Sequence, residues 1–323
     1  MPPSPSQRPL VIQTERLDEA AAAWLEQRCE LVVCDPADDS FGPLLARAHA
    51  LVIRTYTRVD EALLERAPNL RVVGRAGVGL DNVDVKACAD RGVTVVSTPD
   101  ANTRAVIEYV GAAMLDHVRP RPAVERALPA DAWRRLRDEA IGERQLSDRT
   151  LGIYGLGRVG TGVARLGAAF NMHVIYHDLL DIPEDARHGA EPVDRDTLLF
   201  DADILTIHVD GRAANRGLID ADAIRHWKDD ILFINASRGF VVDAHALAEF
   251  LRASPEAGAV LDVHEPEPFG DDYPLLGLPN ARLTPHIGAA TETAHRNMSM
   301  VVRDVWRVLN GERPEHPASA RVE

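Results

Sequence analysis

Three polar residues in the second half of the chain each follow a run that is typical of a buried strand. Arg238, Glu267 and His286 come after the runs Ile231–Asn235, Gly258–Asp262 and Ala281–Thr284. Ligands of parallel α/β sheets bind beyond the carboxyl ends of the strands. An arginine there can hold a carboxylate through two parallel N–H bonds, and a histidine beside a carboxylate can transfer a proton near neutral pH. The trio therefore predicts acid–base chemistry on a substrate that carries a carboxylate.

Each member of the trio also has a structural alternative. His286 could be a hydrogen-bonded structural residue, and Arg238 could be a surface ion-pair partner. Glu267 lies in an acidic, proline-rich loop, in which Glu265 competes for the same role. The convergence of three strand ends downstream of one nucleotide-binding motif favours the catalytic interpretation.

That motif is a segment with three glycines in the pattern GxGxxG, namely Gly155, Gly157 and Gly160. It lies between a predicted strand, Thr150–Tyr154, and a predicted helix, Thr161–Phe170. The glycines permit a tight turn, a close approach of the backbone to a pyrophosphate and close packing of the helix on the sheet. Because N–H groups at a helix start bind phosphate, we expect Arg158 and Val159 to contact the cofactor. The segment predicts a Rossmann unit that binds an NAD-type dinucleotide.

Asp178 follows Gly160 by eighteen residues, at the end of the next predicted strand, His173–Tyr176. A carboxylate there can accept both ribose hydroxyls and would repel a 2′-phosphate. The next residues are Leu179, Leu180 and Asp181, none of them basic. We therefore predict NAD rather than NADP as the cofactor. The alternative to a dinucleotide site as a whole is a structural glycine turn followed by a surface aspartate.

Hydride transfer to a 2-keto acid needs a proton donor for the carbonyl oxygen and a cation for the carboxylate. His286 and Arg238 of the trio supply these two groups, and the dinucleotide motif binds the hydride carrier. The sequence thus predicts an oxidoreductase that acts at C2 of a small 2-hydroxy acid or 2-keto acid.

The elements that must position these residues alternate between strand and helix. Five strands are predicted in the first hundred residues: Leu10–Ile12, Leu31–Cys34, Leu51–Arg54, Arg71–Gly74 and Val93–Ser97. A helix over Thr103–His117 and a helix-containing connection over His117–Asp148 lead into six further strands. A last helix is predicted over Glu292–Leu309. This alternation is typical of α/β proteins and predicts two doubly wound parallel-sheet lobes.

Composition excludes several other classes of protein. The 323 residues carry a formal net charge of −14, which disfavours binding to nucleic acid or to anionic lipid. No apolar run approaches the ~18 residues of a membrane span, and Met1–Pro9 lacks the apolar core of a signal peptide. The three cysteines show no metal-ligand spacing. We expect a cytoplasmic protein without a metal site.

From Leu51 to Gly311 the chain resembles the D-isomer-specific 2-hydroxyacid dehydrogenase family. The resemblance is carried by the glycine motif and by the blocks Asn-Ala-Ser-Arg-Gly, Asp-Val-x-x-x-Glu-Pro and Thr-Pro-His, in this order and spacing. It implies a flavodoxin-like substrate domain, residues 1–101 and 292–323, into which a Rossmann NAD-binding domain, residues 102–291, is inserted. It also implies an active site in the cleft between the lobes, and a homodimer, for which we expect the interface at Arg104–His117 and residues 117–148.

The resemblance implies a role for each matching residue. His286 would be the acid/base, Glu267 its partner and Arg238 the carboxylate anchor. The further cofactor contacts would be Ala236, Ser237 and Asp262, the last on the nicotinamide side. The substrate contacts would be Arg54, Gly77, Val78, Gly79 and Asn102. Consecutive N–H groups in a glycine-rich loop such as 77–79 can form an anion-binding nest.

The chain departs from the family pattern at three places. His208–Arg212 lacks the usual proline and threonine, Asn171 replaces a usual glycine, and Tyr56 lies where small or polar residues are common. The first change affects the cofactor side, and the last could alter the size of the substrate.

Two branches of the family remain open. Gly74–Asn82 and Asn102–Arg104 resemble phosphoglycerate dehydrogenases, although we expect that a chain ending at Glu323 has no room for the regulatory domain many of them carry. Leu261–Phe269 and Gly155–Gly160 resemble the C-terminal-binding-protein corepressors, so the alternative is an NAD(H)-sensing binding protein with little turnover. For an enzyme, 3-phosphoglycerate and glyoxylate or hydroxypyruvate remain open as substrates. Arg54 and Arg75 could receive a phosphate or second carboxylate, or could be structural ion-pair partners.

Overall fold

The chain divides into two compact units. The computed structural model describes residues 8–119, 121–141 and 145–318. The first unit comprises the described parts of Met1–Asn102 and Ala290–Glu323, and the second is Thr103–Ala289. These boundaries lie one or two residues from those predicted, and the assignment of the units to substrate and cofactor stays a prediction here.

The first unit begins with five short strands, each followed by a helix or turn. The strands are β1 Leu10–Gln13, β2 Glu30–Val33, β3 Ala50–Ile53, β4 Val72–Arg75 and β5 Thr94–Val96. The helices between them are α1 Glu19–Glu26, α2 Phe41–Leu45, α3 Glu61–Glu65 and α4 Val85–Asp90. Asp18, Asp60 and Asp84 cap α1, α3 and α4 by accepting backbone N–H groups.

These strands form a parallel sheet in the order β2-β1-β3-β4-β5. Every residue of β1 and β3 is buried, as expected for central strands covered on both faces. The order reverses between β1 and β3, so the loops after these two strands lie at the switch point where such sheets bind ligands. This places the loop that begins with Arg54 in a position typical of a ligand site.

The second unit contains the remaining strands and six helices among its described residues. The helices are α5 Thr103–Val118, α6 Ala130–Glu139, α7 Arg158–Ala169, α8 Arg195–Asp201, α9 Ala221–Ile224 and α10 Ala244–Ala253. The strands are β6 Thr150–Tyr154, β7 His173–His177, β8 Glu191–Pro192, β9 Ile204–Ile207, β10 Leu232–Asn235, β11 Gly258–Leu261 and β12 Ala281–Leu283. The edge strand β8 was not predicted, because two exposed residues give no periodicity.

All seven strands are parallel, in the order β12-β11-β10-β9-β6-β7-β8. One apolar cluster includes Leu198, Phe233 and Leu247, and a second includes Val110, Ile153 and Val163. Leu232 and Phe233 are neighbours on β10 but belong to different clusters, so the sheet is covered on both faces. The prediction of two doubly wound parallel sheets is confirmed.

The prediction of one helix over Glu292–Leu309 is wrong. The chain forms two helices here, α11 Glu292–Ser299 and α12 Val302–Leu309, both in the first unit. At the break, the Ser299 hydroxyl donates to the His295 carbonyl at 2.8 Å and accepts the Asp18 N–H at 2.9 Å. Serine hydroxyls that bind the carbonyl four residues back often bend helices, and this one also ties the break to the start of α1.

Candidate active site

The trio follows three neighbouring strands of the second unit. Arg238 comes after β10, Glu267 after β11 and His286 after β12, and these strands are adjacent and parallel. Their carboxyl ends therefore share one edge of the sheet. The segments after β10 and β11 also touch, because a Cβ on Gly239 would overlap the backbone of His264.

The side chains of Glu267 and His286 form a direct pair. Glu267 Oε2 lies 2.8 Å from His286 Nδ1, and its Oε1 accepts the His264 N–H at 2.7 Å. Burial alone would raise the pKa of Glu267, but the hydrogen bonds from His286 and His264 lower it below its usual value. An ionised carboxylate can only accept, so Nδ1 carries a proton and Nε2 is the remaining ring nitrogen. Glu265, the competing residue, instead lies 3.8 Å from Arg216.

Asp262 fixes the backbone of the turn that carries His286. His286 has a φ of 55°, a left-handed conformation unusual for a residue with a side chain. Its N–H donates to the Asp262 carbonyl at 2.9 Å. The Asp262 carboxylate, in a residue only 2% exposed, accepts the N–H groups of Ile287 at 2.7 Å and Gly288 at 2.6 Å. These contacts give Asp262 a role in shaping the turn, and its contact with the nicotinamide stays a prediction.

Two hydroxyl groups extend this network to α5. Thr284 Oγ1 donates to Asp262 Oδ1 at 2.7 Å and lies 2.7 Å from the Tyr109 hydroxyl. Because Thr284 uses its proton toward Asp262, Tyr109 is the donor to Thr284. The hydroxyl chain thus links helix α5 to the turn of His286.

The His264 ring supports the other side of the pair. Its Nε2 lies 2.9 Å from the Thr284 carbonyl, so this nitrogen carries the proton, and its Nδ1 lies 3.3 Å from the Tyr273 hydroxyl. Phe269 and Tyr273 surround the ring at centroid distances of 4.7 and 5.4 Å. Burial, with a smaller effect of the Glu267 charge, raises the pKa of Tyr273 to about 12. These contacts fix the orientation of the His264 ring.

Arg238 belongs to a turn shaped by Asn235. The Asn235 carboxamide oxygen accepts both the N–H of Ser237, at 3.0 Å, and its hydroxyl, at 2.8 Å. The Asn235 amide donates to the Arg238 carbonyl at 2.9 Å, and Arg238 Nη1 donates to the Ser237 carbonyl at 2.7 Å. Ser237 is buried, and Ala236 and Arg238 are half-buried.

The glycine motif has the geometry of a phosphate-binding turn. Gly155 has a φ of 92°, and a Cβ on Gly160 would overlap the Gly155 carbonyl oxygen. Gly157 differs, because a Cβ there would meet nothing within 4 Å. Gly157 is the N-cap of α7, without a side-chain cap, and Arg158 and Val159 open the helix. The residues present therefore fit a dinucleotide, whose pyrophosphate would occupy the open space at Gly157 and the helix start.

Asp178 follows β7 and contacts the same turn. One of its oxygens accepts the Leu156 N–H at 2.7 Å and the other the Leu180 N–H at 2.9 Å.

In the segment His208–Arg212, which departs from the family pattern, Asp210 holds Arg212 through two hydrogen bonds of 2.7 and 2.6 Å. Its neighbour His208 is held neutral, since burial lowers its pKa to about 3. A local ion pair thus stands where the usual proline and threonine are missing.

The predicted substrate residues are in the first unit. Arg54 follows β3, and Gly77, Val78 and Gly79 lie in the loop after β4. Gly77 has a φ of 147°, which favours glycine. Within the described part of the chain, no hydrogen bond uses the N–H groups of residues 77–79. These N–H groups fit the predicted anion nest, and Asn102 lies directly before α5.

Sequence reasoning missed several residues of this framework. Tyr109 lies within the predicted helix Thr103–His117 but was given no role, and His264 and Asn235 were given none either. All three of Asn235, His264 and Thr284 lie at or just after the ends of predicted strands, and Asn235 and Thr284 also begin two of the blocks that carry the family resemblance. Glu15, whose contacts are described below, gave no signal.

The described residues offer neither a metal centre nor a membrane span. They contain no group of three or more His, Cys, Asp or Glu side chains that could hold a metal ion. They also contain no helix that is long and apolar enough to cross a membrane.

Comparisons with known proteins support one family. The sequence model of the D-isomer specific 2-hydroxyacid dehydrogenase, NAD binding domain, matches residues 111–288. D-3-phosphoglycerate dehydrogenase of Archaeoglobus fulgidus is 40% identical over 264 residues, which is 81% of this chain and 50% of that protein. (S)-Sulfolactate dehydrogenase of Chromohalobacter salexigens is 37% identical over 308 residues, which is 94% of this chain and 99% of that protein.

A solved structure agrees with these relatives. D-lactate dehydrogenase from Aquifex aeolicus, complexed with NAD and lactic acid, matches with a TM-score of 0.80 and 26% identity, covering 94% of this chain and 96% of that one. The chain spans about half the length of the curated D-3-phosphoglycerate dehydrogenases that it matches. The comparisons confirm the predicted resemblance and identify an NAD-binding domain.

Proposed function

Because the chain belongs to the D-isomer specific 2-hydroxyacid dehydrogenase family, we propose that it transfers a hydride between NAD(H) and C2 of a small D-2-hydroxy acid or 2-keto acid. The observation that carries the proposal is the contact of 2.8 Å between Glu267 and His286 Nδ1. It leaves Nε2 of an otherwise exposed histidine available for proton transfer. The substrate domain would be the first unit and the NAD-binding domain the second.

Each member of the trio has one task in this reaction. His286 Nε2 gives a proton to the carbonyl oxygen during reduction and takes it from the hydroxyl during oxidation. Glu267 holds the ring and stabilises its protonated form. Arg238 binds the substrate carboxylate through its guanidinium. The bound dinucleotide supplies or receives the hydride.

We further propose that the substrate carries a second anionic group. Arg54 and the open N–H groups of residues 77–79 supply positive potential in the first unit, in addition to the proposed carboxylate anchor Arg238. The relatives named for 3-phosphoglycerate and (S)-sulfolactate act on acids with such a group. Smaller acids such as glyoxylate and hydroxypyruvate are the competing substrates.

The test is NADH oxidation with a panel of 2-keto acids. The panel contains phosphohydroxypyruvate, sulfopyruvate, hydroxypyruvate, glyoxylate and pyruvate, and each is assayed in parallel with NADPH. We expect the highest kcat/KM with an acid that carries a phosphate or sulfonate. NADH binding without turnover of any acid would contradict the enzyme proposal and favour the NAD(H)-sensing binding protein.

Asp178 supports a preference for NAD over NADP. Its carboxylate lies at the end of β7 and would face a 2′-phosphate with like charge. We expect Asp178→Ala to reduce the NADH to NADPH selectivity at least about tenfold, the equivalent of about 1.4 kcal/mol. Unchanged selectivity would contradict this role.

A homodimer is also proposed, with the interface in residues 121–141. Helix α6 has no buried residue, and Val124, Trp133 and Ile141 are exposed in this segment. By contrast, α5 buries one face within its own unit, through residues such as Val110 and Met114. Sedimentation of Trp133→Asp beside the control Phe200→Asp, which alters an exposed residue of α8, tests this interface. Only the Trp133 variant should dissociate.

A cytoplasmic location stays a prediction from sequence.

A further inference from the structure

The turn after β3 is organised around the carboxylate of Glu15. Glu15 Oε1 accepts the N–H groups of Arg54 at 2.9 Å, Tyr56 at 3.2 Å and Thr57 at 3.1 Å. Its Oε2 accepts the N–H of Thr55 at 2.9 Å. Four consecutive backbone N–H groups therefore converge on one side chain, as they would on a bound anion.

This carboxylate is held in its charged form. Burial alone would raise the pKa of Glu15, but the N–H groups of the turn, beginning with Arg54, lower it below its usual value. The turn lies at the switch point of the sheet, between β1 and β3, where doubly wound sheets bind ligands. In this chain the carboxylate of Glu15 occupies the position that a bound anion would take in this nest.

Asn82 holds the same turn through two of its carbonyl groups. Its amide donates to the Arg54 carbonyl at 2.9 Å and to the Thr57 carbonyl at 2.6 Å. Asn82 also ends the loop that begins with residues 77–79, the predicted anion nest. The two predicted substrate loops of the first unit are thus tied together by hydrogen bonds.

The Arg54 side chain is directed by this arrangement. Its backbone N–H and carbonyl are fixed by Glu15 and Asn82. Its Nη1 contacts His295 Nδ1 on α11 and lies 3.4 Å from the Arg16 carbonyl. Because a guanidinium can only donate, His295 Nδ1 is the acceptor. The half-buried Arg54 is therefore held both at its backbone and at its guanidinium.

We propose that Glu15 is a positioning residue, which holds Arg54 in the orientation in which its guanidinium binds the anionic group of the substrate. The inference rests on the proposed function. It predicts that the loss of Glu15 weakens substrate binding through Arg54 and leaves proton and hydride transfer largely unchanged.

The test is a steady-state comparison of Glu15→Gln with Glu26→Gln, which makes the same change at an exposed residue of α1. The preferred 2-keto acid is the varied substrate. We expect the KM of Glu15→Gln to rise about tenfold with kcat within about twofold of wild type. Binding through Arg54 would stabilise the bound substrate and the transition state equally, so its loss raises KM and leaves kcat nearly unchanged. Glu26→Gln should match the wild type in both. An unchanged KM in Glu15→Gln would overturn the inference.

A double-mutant cycle separates positioning from general destabilisation. In an Arg54→Ala background, Glu15→Gln should raise KM no further, since it acts through the missing guanidinium. An equal further rise would overturn the inference. If Glu15→Gln does not fold, Asn82→Ala replaces it in the same cycle, with the same expected and contradictory results.

The outcomes distinguish this inference from the proposed function. Turnover by the wild type with an unchanged KM in Glu15→Gln overturns the inference alone. A wild type that turns over none of the acids overturns the proposed function, and the inference with it.

Discussion

The carboxylate of Glu267 lies 2.8 Å from Nδ1 of His286, on loops that follow two adjacent strands. The same carboxylate accepts the His264 N–H, so both of its oxygens are bound. The arrangement fixes the ring and leaves one nitrogen for chemistry.

Glu267→Gln should lower kcat by about 100-fold, because a neutral amide no longer stabilises the imidazolium that forms during the reaction. The measurement is kcat for 2-keto acid reduction, with NADH binding as a check that the second unit is intact. The control is Glu265→Gln, two residues away, whose recorded partner is Arg216. If the Glu265 variant lost the activity and the Glu267 variant kept it, the assignment of the partner would be reversed.

Asp262→Asn should disturb the His286 turn more than the fold. An amide cannot accept the hydrogen bonds from Thr284, Ile287 and Gly288 at both of its atoms, so one buried N–H loses its acceptor at a cost of about 1–3 kcal/mol. We expect a lower Tm and a reduced kcat. Thr284→Ser, which keeps the hydroxyl, should retain most of the activity, whereas Thr284→Val should not. Equal activity of these two Thr284 variants would show that the hydroxyl chain does not matter.

Two glycines of the cofactor loop should respond differently to alanine. Gly160→Ala places a methyl group against the Gly155 carbonyl, so it should destabilise the protein by about 1–3 kcal/mol. Gly157→Ala meets open space, so the Tm should be kept while the Kd for NADH rises at least about tenfold, or about 1.4 kcal/mol. Thermal melts and NADH fluorescence titration measure both effects. Tight NADH binding by Gly157→Ala would contradict the placement of the pyrophosphate.

How far the sequence predicted the structure depends on the range of the interactions involved. Strand β6 has the predicted bounds, Thr150–Tyr154, because a buried apolar run followed by a glycine turn is a local signal. The break between α11 and α12 was missed, since it depends on Ser299 meeting Asp18 from the far end of the chain. Tyr109 was missed for the same reason: its hydroxyl acts on Thr284, 175 residues away. Residue types at strand ends predicted the pair of Glu267 and His286, but not the groups that hold it.

The stability of the protein should fall at acid pH. Burial alone would raise the pKa values of Glu15, Asp203 and Asp304, but hydrogen bonds and basic partners lower them below the ordinary 4.5 of Glu and 3.8 of Asp. Carboxylates with a lowered folded pKa contribute stability that is present above the unfolded pKa and is lost as pH falls through the folded value. The Tm should therefore be nearly constant from neutral pH down to about pH 5 and decline below about pH 4. 

Asp304 provides the matched variant for this measurement. It is buried, accepts the N–H groups of Glu315 and His316 at 2.9 and 2.8 Å, and pairs with Arg307 at 2.7 Å. Asp304→Asn should lower the Tm at neutral pH and give a flatter profile below pH 4. A profile as steep as that of the wild type would contradict the role assigned to Asp304.

The central claim is that His286 transfers the proton that accompanies hydride transfer. The most direct measurement compares wild type and His286→Ala in NADH oxidation with the preferred 2-keto acid, alongside the Kd for NADH of each protein. We predict a loss of kcat of at least about 100-fold with a nearly unchanged Kd. Near-normal turnover by His286→Ala would contradict the account.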